Sequence, residues 1–308
     1  MRRYHRIIAL LVAIAPFLWP WRGDAGTHPN GRNRTWALVT GVNTSGPKSR
    51  AHGEALLTNY GLKPVPGYKP ILLHTYSPLQ KILVFELQDV VPRKVFFPSS
   101  IRLETFSPID VSKHDLNIDF ALQSLGLPLT ALEKALTAAN QRLGEKFGQR
   151  FGEETVLDVG SGPFLKDVEP LKEGKKVTAI EKELPVILLG ASDVLQSLDG
   201  ALTKNLKIIH GDLREVIPKL KVGYHRQYDQ ILLDKVLRFL GSKEEALNVL
   251  NVLARLRKPE GTVEGTYSRS RETGPDLLSR KELEEIFGVP VALFPGEGDQ
   301  MSFMVMGD

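Results

Sequence analysis

The sequence contains no cysteine. Disulfides, thiolate metal sites and a cysteine nucleophile are excluded, and absence of thiols suits either side of a membrane. No internal repeat and no low-complexity tract is present. The apolar run at the front of the chain, Ile7–Trp19, falls short of the ~20 residues that a comfortable membrane span needs. Net positive charge is absent from the larger part of the chain. Residues 1–35 hold six arginines against Asp24 alone, for +5, and residues 36–110 hold eight bases against five acids, for +3. The formal total is +4, so residues 111–308 carry −4. A domain that grips nucleic acid through many phosphates carries a basic footprint, and that stretch has none.

What remains is ordinary globular composition: 308 residues, 42% hydrophobic and 25% charged. The length suits one large domain or two modest ones. At the N-terminus, Met1–Arg6 (MRRYHR), the apolar run and the small-x-small site Gly23-Asp24-Ala25 read as an export signal or an uncleaved anchor. Residues 1–25 are therefore set aside, with membrane association through residues 1–21 and an exported or membrane-anchored location as expectations.

Residues 26–110 read as a small mixed α/β or β-rich region of unknown role. Strand-like runs occur at Trp36–Thr40, Pro70–His74, Lys81–Glu86, Lys94–Phe97 and Ile101–Thr105, with a short helix near Ala51–Tyr60. Thr40-Gly41 after a strand lacks the glycine spacing and the Tyr-x-x-x-Lys of a short-chain dehydrogenase. From about residue 111 the texture changes. Thr130 and Glu133 form a capping box, and Leu132, Leu136, Ala139, Leu143 and Phe147 follow at helical spacing.

From Thr155 strands and helices alternate. Strands are expected at Thr155–Val159, Lys176–Ile180, Leu206–His210, Tyr228–Leu233, Thr262–Tyr267, Val291–Phe294 and Ser302–Met306. Helices are expected at Phe164–Leu171, Leu184–Leu198, Leu213–Leu220, Lys243–Arg257 and Lys281–Phe287, the last two opened by the boxes Ser242/Glu245 and Ser279/Glu282. Such alternation implies a parallel sheet covered on both faces, with ligands at the carboxyl ends of the strands. The short final connection makes the last strand antiparallel.

Two glycines and two acids carry the chemistry. In Val156–Phe164 (VLDVGSGPF), Gly160 and Gly162 let the backbone turn sharply and approach a ligand. Glu181 ends the second strand, 19 residues after Gly162, where an acid accepts hydrogen bonds from ribose hydroxyls. Asp212 ends the third strand, where an acid can accept an adenine amino group. The bland reading of Glu181 and Asp212 is that of solvated acids at helix entries.

Residues ~128–308, about the last 60% of the chain, resemble the class I S-adenosylmethionine-dependent methyltransferases. VLDVGSGP resembles their first motif, VTAIEKE the second, IIHGDLREV the third and YDQILLDKVLRFL the fourth. LARLRKPEGTV resembles the segment before the fifth strand, and SRKELEEIFG the helix before the closing hairpin. The resemblance implies a Rossmann-like α/β fold: a seven-stranded, mostly parallel sheet with an antiparallel last strand, filling residues 111–308. It also implies S-adenosylmethionine as cofactor, with Asp158, Gly160 and Gly162 at its methionine end, Glu181 on ribose and Asp212 on adenine. Two departures stand out. Phe164 occupies the place of a third glycine, and Glu260 replaces the first of a usual glycine pair.

The expected activity is methyl transfer to a small-molecule or lipid acceptor. The fourth motif lacks the Asn/Asp-Pro-Pro-Tyr/Phe signature of amino-group methylation on bases or glutamine. Asp234, Lys235, His210, Tyr267 and Arg269 lie near the strand ends that face the acceptor, and Asp234 is the preferred catalytic candidate. No metal site is expected. The alternative is an exported, non-catalytic protein of the same fold that serves as a binding or assembly module.

Overall fold

The computed structural model describes residues 34–41, 47–76, 79–88, 97–106, 154–220, 227–234, 236–268, 278–295 and 300–306. The chain divides into two compact units, and all of these residues belong to the second, Arg34–Phe106 with Arg142–Asp308. The expected export segment, most of the strand at Lys94–Phe97 and the helix behind Thr130 lie outside the described residues. Among those described, no helix is long and apolar enough to cross a membrane.

Among the described residues, eleven strands form one sheet: β1 (Arg34–Val39), β2 (Ile71–Tyr76), β3 (Leu79–Glu86), β4 (Ile101–Phe106), β5 (Thr155–Val159), β6 (Lys176–Glu181), β7 (Leu206–His210), β8 (Tyr228–Leu233), β9 (Arg257–Ser268), β10 (Val291–Pro295) and β11 (Gln300–Val305). Their order is β10-β11-β9-β8-β5-β6-β7-β2-β3-β1-β4. This corrects the expected count of seven. The seven strands from 155 to 305 are contiguous, and β5, β6, β7, β8 and β9 pair in parallel. β11 runs antiparallel to both β9 and β10. The four extra strands come from residues 34–106 and pair antiparallel among themselves.

The join is between β2 and β7, which are parallel, with Leu73, His74 and Thr75 opposite Ile208, Ile209 and His210. Sequence reading missed it because strand pairing across more than a hundred residues leaves no local signal. Its physical basis lies in burial. Trp36, Ala37, Leu38 and Val39 are all buried in succession, so β1 is covered on both faces, as continuous apolar runs require.

Helix α1 (Pro47–Asn59) covers one face through Leu57, which packs in a cluster with Ala37, Val39, Leu83 and Phe85. The other face meets the helix that follows β6. Trp36 Nε1 donates to Ser192 Oγ at 2.9 Å, and Arg34 forks between Glu86 (2.8 Å) and Asp193 (2.8 Å).

The remaining helices are α2 (Val168–Lys172), α3 (Leu184–Asp193), α4 (Gly200–Thr203), α5 (Leu213–Leu220), α6 (Lys243–Leu256) and α7 (Arg280–Phe287). The expected helix Leu184–Leu198 is α3 followed by a 3-10 turn at Leu195–Ser197. The Ser279/Glu282 box at α7 is complete. At α6 it is half formed: Ser242 Oγ accepts from Glu245 N, but Glu245 Oε2 reaches Gly241 N instead of Ser242 N. Glu260 lies within β9 and is exposed, so a side chain there meets no obstacle. Its neighbour Gly261 is the confined one, since a Cβ there would lie 2.8 Å from the Tyr228 carbonyl oxygen.

Candidate functional site

The parallel strands bring their carboxyl ends to one edge of the sheet. There Thr75 of β2 sits opposite His210 of β7, which sits opposite Glu181 of β6. The glycine turn closes over the end of β5. Gly160 and Gly162 adopt φ of 70° and 60°, left-handed backbone that glycine enters without strain. Gly160 N and Ser161 N donate to the Ile180 carbonyl at 2.8 and 3.1 Å, and Gly211 N donates to the Glu181 carbonyl at 3.0 Å. The turns after β5 and β7 are thus both pinned to the end of β6.

Phe164 also adopts a left-handed conformation (φ 65°, ψ 17°) and is wholly buried. A bulky residue in that region is strained by roughly 1–2 kcal/mol. Its buried ring offsets this, so the departure from a third glycine is accommodated by packing under the turn. Sequence reading missed Gly190, in the apolar helix α3. A Cβ at Gly190 would lie 2.7 Å from Pro163 Cα and from its carbonyl oxygen, so only glycine lets α3 back onto the turn. An isolated glycine inside a helical pattern was the available signal.

Glu181 is 6% exposed, and its carboxylate is shared among three backbone amides. Oε2 accepts from Gly162 N at 2.9 Å, and Oε1 accepts from Lys182 N and Glu183 N at 2.7 and 2.8 Å. Burial pushes its carboxyl above the usual carboxylate range, against the pull of these amides. Asp212 is gripped by Arg214, through Nε at 2.9 Å and a second guanidinium nitrogen at 2.6 Å, with Lys182 Nζ at 3.5 Å. The Arg214 hydrogen bond is the main cause that holds Asp212 down at about 2.

Asp158 is 2% exposed, and burial holds its carboxyl up at about 7. Beside it is a residue that sequence reading missed. Asp167, in the turn that opens α2, is wholly buried and also raised by burial. It lies beyond the glycine motif, where an acid reads as a helix-entry residue.

Asp234 follows β8, accepts from Thr266 Oγ1 at 3.2 Å and pairs with Lys166. Val236 packs on the turn, since a Cβ at Gly160 would lie 2.4 Å from its Cγ2. The ring of His210 is bonded to the Lys182 carbonyl at 3.0 Å, and Tyr267 is buried against Phe303. Lys235 and Arg269 lie outside the described residues.

Five buried side-chain atoms around the turn lack a hydrogen-bond partner among the described residues. Four belong to Asp158, Ser161 and Asp167 at the turn, and a fifth, Nε of Arg238, lies just beyond Val236. Buried polar groups are almost always paired, and these atoms lie together at the carboxyl ends of the parallel strands. No group of acids and histidines among the described residues could hold a metal ion.

No family model matches the chain, and no curated protein matches it. Solved structures align with part of it. An O-methyltransferase family protein from Burkholderia thailandensis is 15% identical, aligned over 50% of this chain and 51% of its own, with a TM-score of 0.39. A SAM-dependent methyltransferase from Aquifex aeolicus is 21% identical over 54% of this chain and 88% of its own, with a TM-score of 0.37. A glycopeptide N-methyltransferase complexed with S-adenosyl-L-homocysteine is 14% identical over 53% of this chain and 85% of its own, also at 0.37. The chain spans about half the length of the first of these. Likenesses at such TM-scores carry no functional weight by themselves.

Proposed function

We propose that the chain is an S-adenosylmethionine-dependent methyltransferase that holds its cofactor at the carboxyl ends of β5, β6 and β7. The observation that carries this reading is the charge around the glycine turn. Asp234 and Glu181 both bear on buried Asp158 by like charge, opposed by the cation Lys166. A dinucleotide pyrophosphate would meet like charge there. At about 4 Å and an effective dielectric of ~20, each such pair is repelled by about 4 kcal/mol. The amide that would greet a phosphate, Gly162 N, already donates to Glu181. S-adenosylmethionine carries a sulfonium and an ammonium against one carboxylate, so its net positive charge suits acids at the turn. The unpartnered Oδ2 of Asp158 fits the same ligand, because it can accept from a donor.

In this reading Asp158 and the turn receive the amino-acid end of the cofactor, and Glu181 offers its remaining lone pair to ribose. Asp212 accepts the adenine amino group after Arg214, whose side chain is 47% exposed, turns aside. Bound cofactor supplies an electrophilic methyl group. The protein supplies alignment and exclusion of water. Asp234, braced by Lys166 and Thr266, orients a small-molecule or lipid acceptor.

Calorimetric titration of the full chain with S-adenosylmethionine tests the reading. Saturable binding is expected, with Asp158→Ala and Glu181→Ala each weakening it at least about tenfold, or ~1.4 kcal/mol. Absence of heat from the wild type at roughly millimolar ligand would overturn the cofactor assignment. Binding that survives both substitutions would overturn the site.

A further inference from the structure

The join between β2 and β7 assembles charge that neither region shows by itself. On β2, His74 stands opposite Lys81 of β3 on one side and Ile209 of β7 on the other. Partners in register share a face, and side chains two residues apart return to it. Lys207, two residues before Ile209, therefore lies on the same face as His74, one diagonal step away. Such a step spans about 7–8 Å, within reach of a long side chain. On this face Leu72 packs in the cluster with Leu57 of α1, and Ile209 in the cluster with Val216 and Ile217 of α5. His74 thus lies half-buried in the valley between those two helices, with Lys81 exposed and Lys207 half-buried.

Among the described residues of β6, β7, β2 and β3, no acid stands on this face. Glu181 and Glu86 alternate to the opposite one, where Glu86 meets Arg34. Burial and the charges of Lys207 and Lys81 push His74 down to about 4, so its imidazole is neutral at pH 7.

We propose that Lys81, His74 and Lys207 form a binding site for a phosphate monoester, distinct from the site at the glycine turn. Two ammonium groups match the charge of about −1.5 to −2 that such a phosphate carries near pH 7. The neutral imidazole adds an N–H that donates to a phosphate oxygen. A bound dianion also lowers the repulsion between the two lysines. Three bases around one point suit a single terminal phosphate. A chain of phosphodiesters would run on along the diagonal to Lys176, which lies two residues before Thr178, the partner of Lys207. The inference is independent of the cofactor reading, because the trio lies on the face of the sheet opposite to Glu181.

The test is NMR of the full chain with labelled histidine rings, titrated with inorganic phosphate at pH 7.5 and constant ionic strength. His74→Gln identifies the His74 signal by its loss. In the wild type that signal should move saturably, with half-saturation at roughly 1–10 mM. Lys81→Ala and Lys207→Ala should each weaken binding about fivefold or more, and Lys176→Ala by less than about twofold. Lys81 is exposed, so its variant should keep the thermal midpoint within about 2 °C. A ten-residue oligothymidylate without a terminal phosphate should bind more weakly than inorganic phosphate. No saturable movement up to about 50 mM phosphate overturns the proposal, as does movement that chloride reproduces. Equal losses at Lys176 and Lys207 also overturn it, by showing diffuse charge in place of a site. An oligothymidylate that binds more tightly than phosphate overturns the monoester assignment. Failure of S-adenosylmethionine to bind leaves this inference standing, and failure of phosphate to bind leaves the cofactor reading standing.

Discussion

The strands of residues 34–106 and those of residues 155–305 share one sheet but use their polar groups in opposite ways. In the first region polar side chains fasten. Arg34 joins Glu86 to Asp193, Trp36 bonds Ser192, and Lys69 reaches the carbonyls of Gln196 and Leu198. In the second, buried polar atoms are left without partners. Oxygens of Asp158, Ser161 and Asp167 and Nε of Arg238 are of this kind, and no described residue of 34–106 is. The first region braces the helix behind the site. The second keeps buried acids where folding alone does not favour them.

Substitutions can break or sharpen that contrast. The largest loss is expected at Gly160→Ala. It combines a left-handed φ with a clash against Val236, for roughly 2–5 kcal/mol of stability and loss of ligand binding. Urea unfolding and calorimetry would read both, and Val236→Ala in the same chain should restore part of each.

Asp158→Asn should act in the other direction. Its carboxyl is held at about 7 in the folded chain against 3.8 in its absence. Because the folded value is raised, the unfolded chain gives up this proton first, and stability falls as pH rises from about 4 to 7. Removing the acid should stabilise the ligand-free protein at pH 8 by up to about 4 kcal/mol, and by nothing below pH 4. A denaturation midpoint for Asp158→Asn that is no higher than wild type at pH 8 would contradict the assignment.

Arg34→Ala should cost about 1–3 kcal/mol, because it removes the guanidinium that joins Glu86 to Asp193 at a partly exposed position. Ligand affinity should stay within about twofold. A collapse of affinity would show that the first region shapes the site as well as bracing it. The smallest effect is expected from Trp36→Phe, which removes one hydrogen bond to Ser192, worth about 1 kcal/mol by thermal unfolding.

Legibility followed the same division. The strands expected at Thr155–Val159, Leu206–His210 and Tyr228–Leu233 occupy those residues, as does the helix Leu213–Leu220. Buried parallel strands are short apolar runs between glycines and caps, and such marks are local. The strand expected at Thr262–Tyr267 is longer, Arg257–Ser268, because Pro259 and Glu260 resemble a loop while the register shift between Tyr228 and Gln230 lets the strand continue past them. In the candidate site, the glycine turn and the acids at the strand ends were visible. The engagement of Glu181 with the Gly162 amide and of Asp212 with Arg214 was not, since a carboxylate's partner depends on distances that spacing does not report.

By itself the sequence determined the local elements: the alternation from Thr155 onward, the box at Ser279, and a sharp turn at Gly160 and Gly162. Periodicity, capping and backbone freedom act within a few residues and need no partner. Only the tertiary structure decided that β2 closes the edge of β7, that Gly190 admits α3 to the turn, and that Asp167 comes to lie against Asp158. Each is a contact between segments far apart in the chain or on separate elements, made by burial, and burial exists only once the chain has folded.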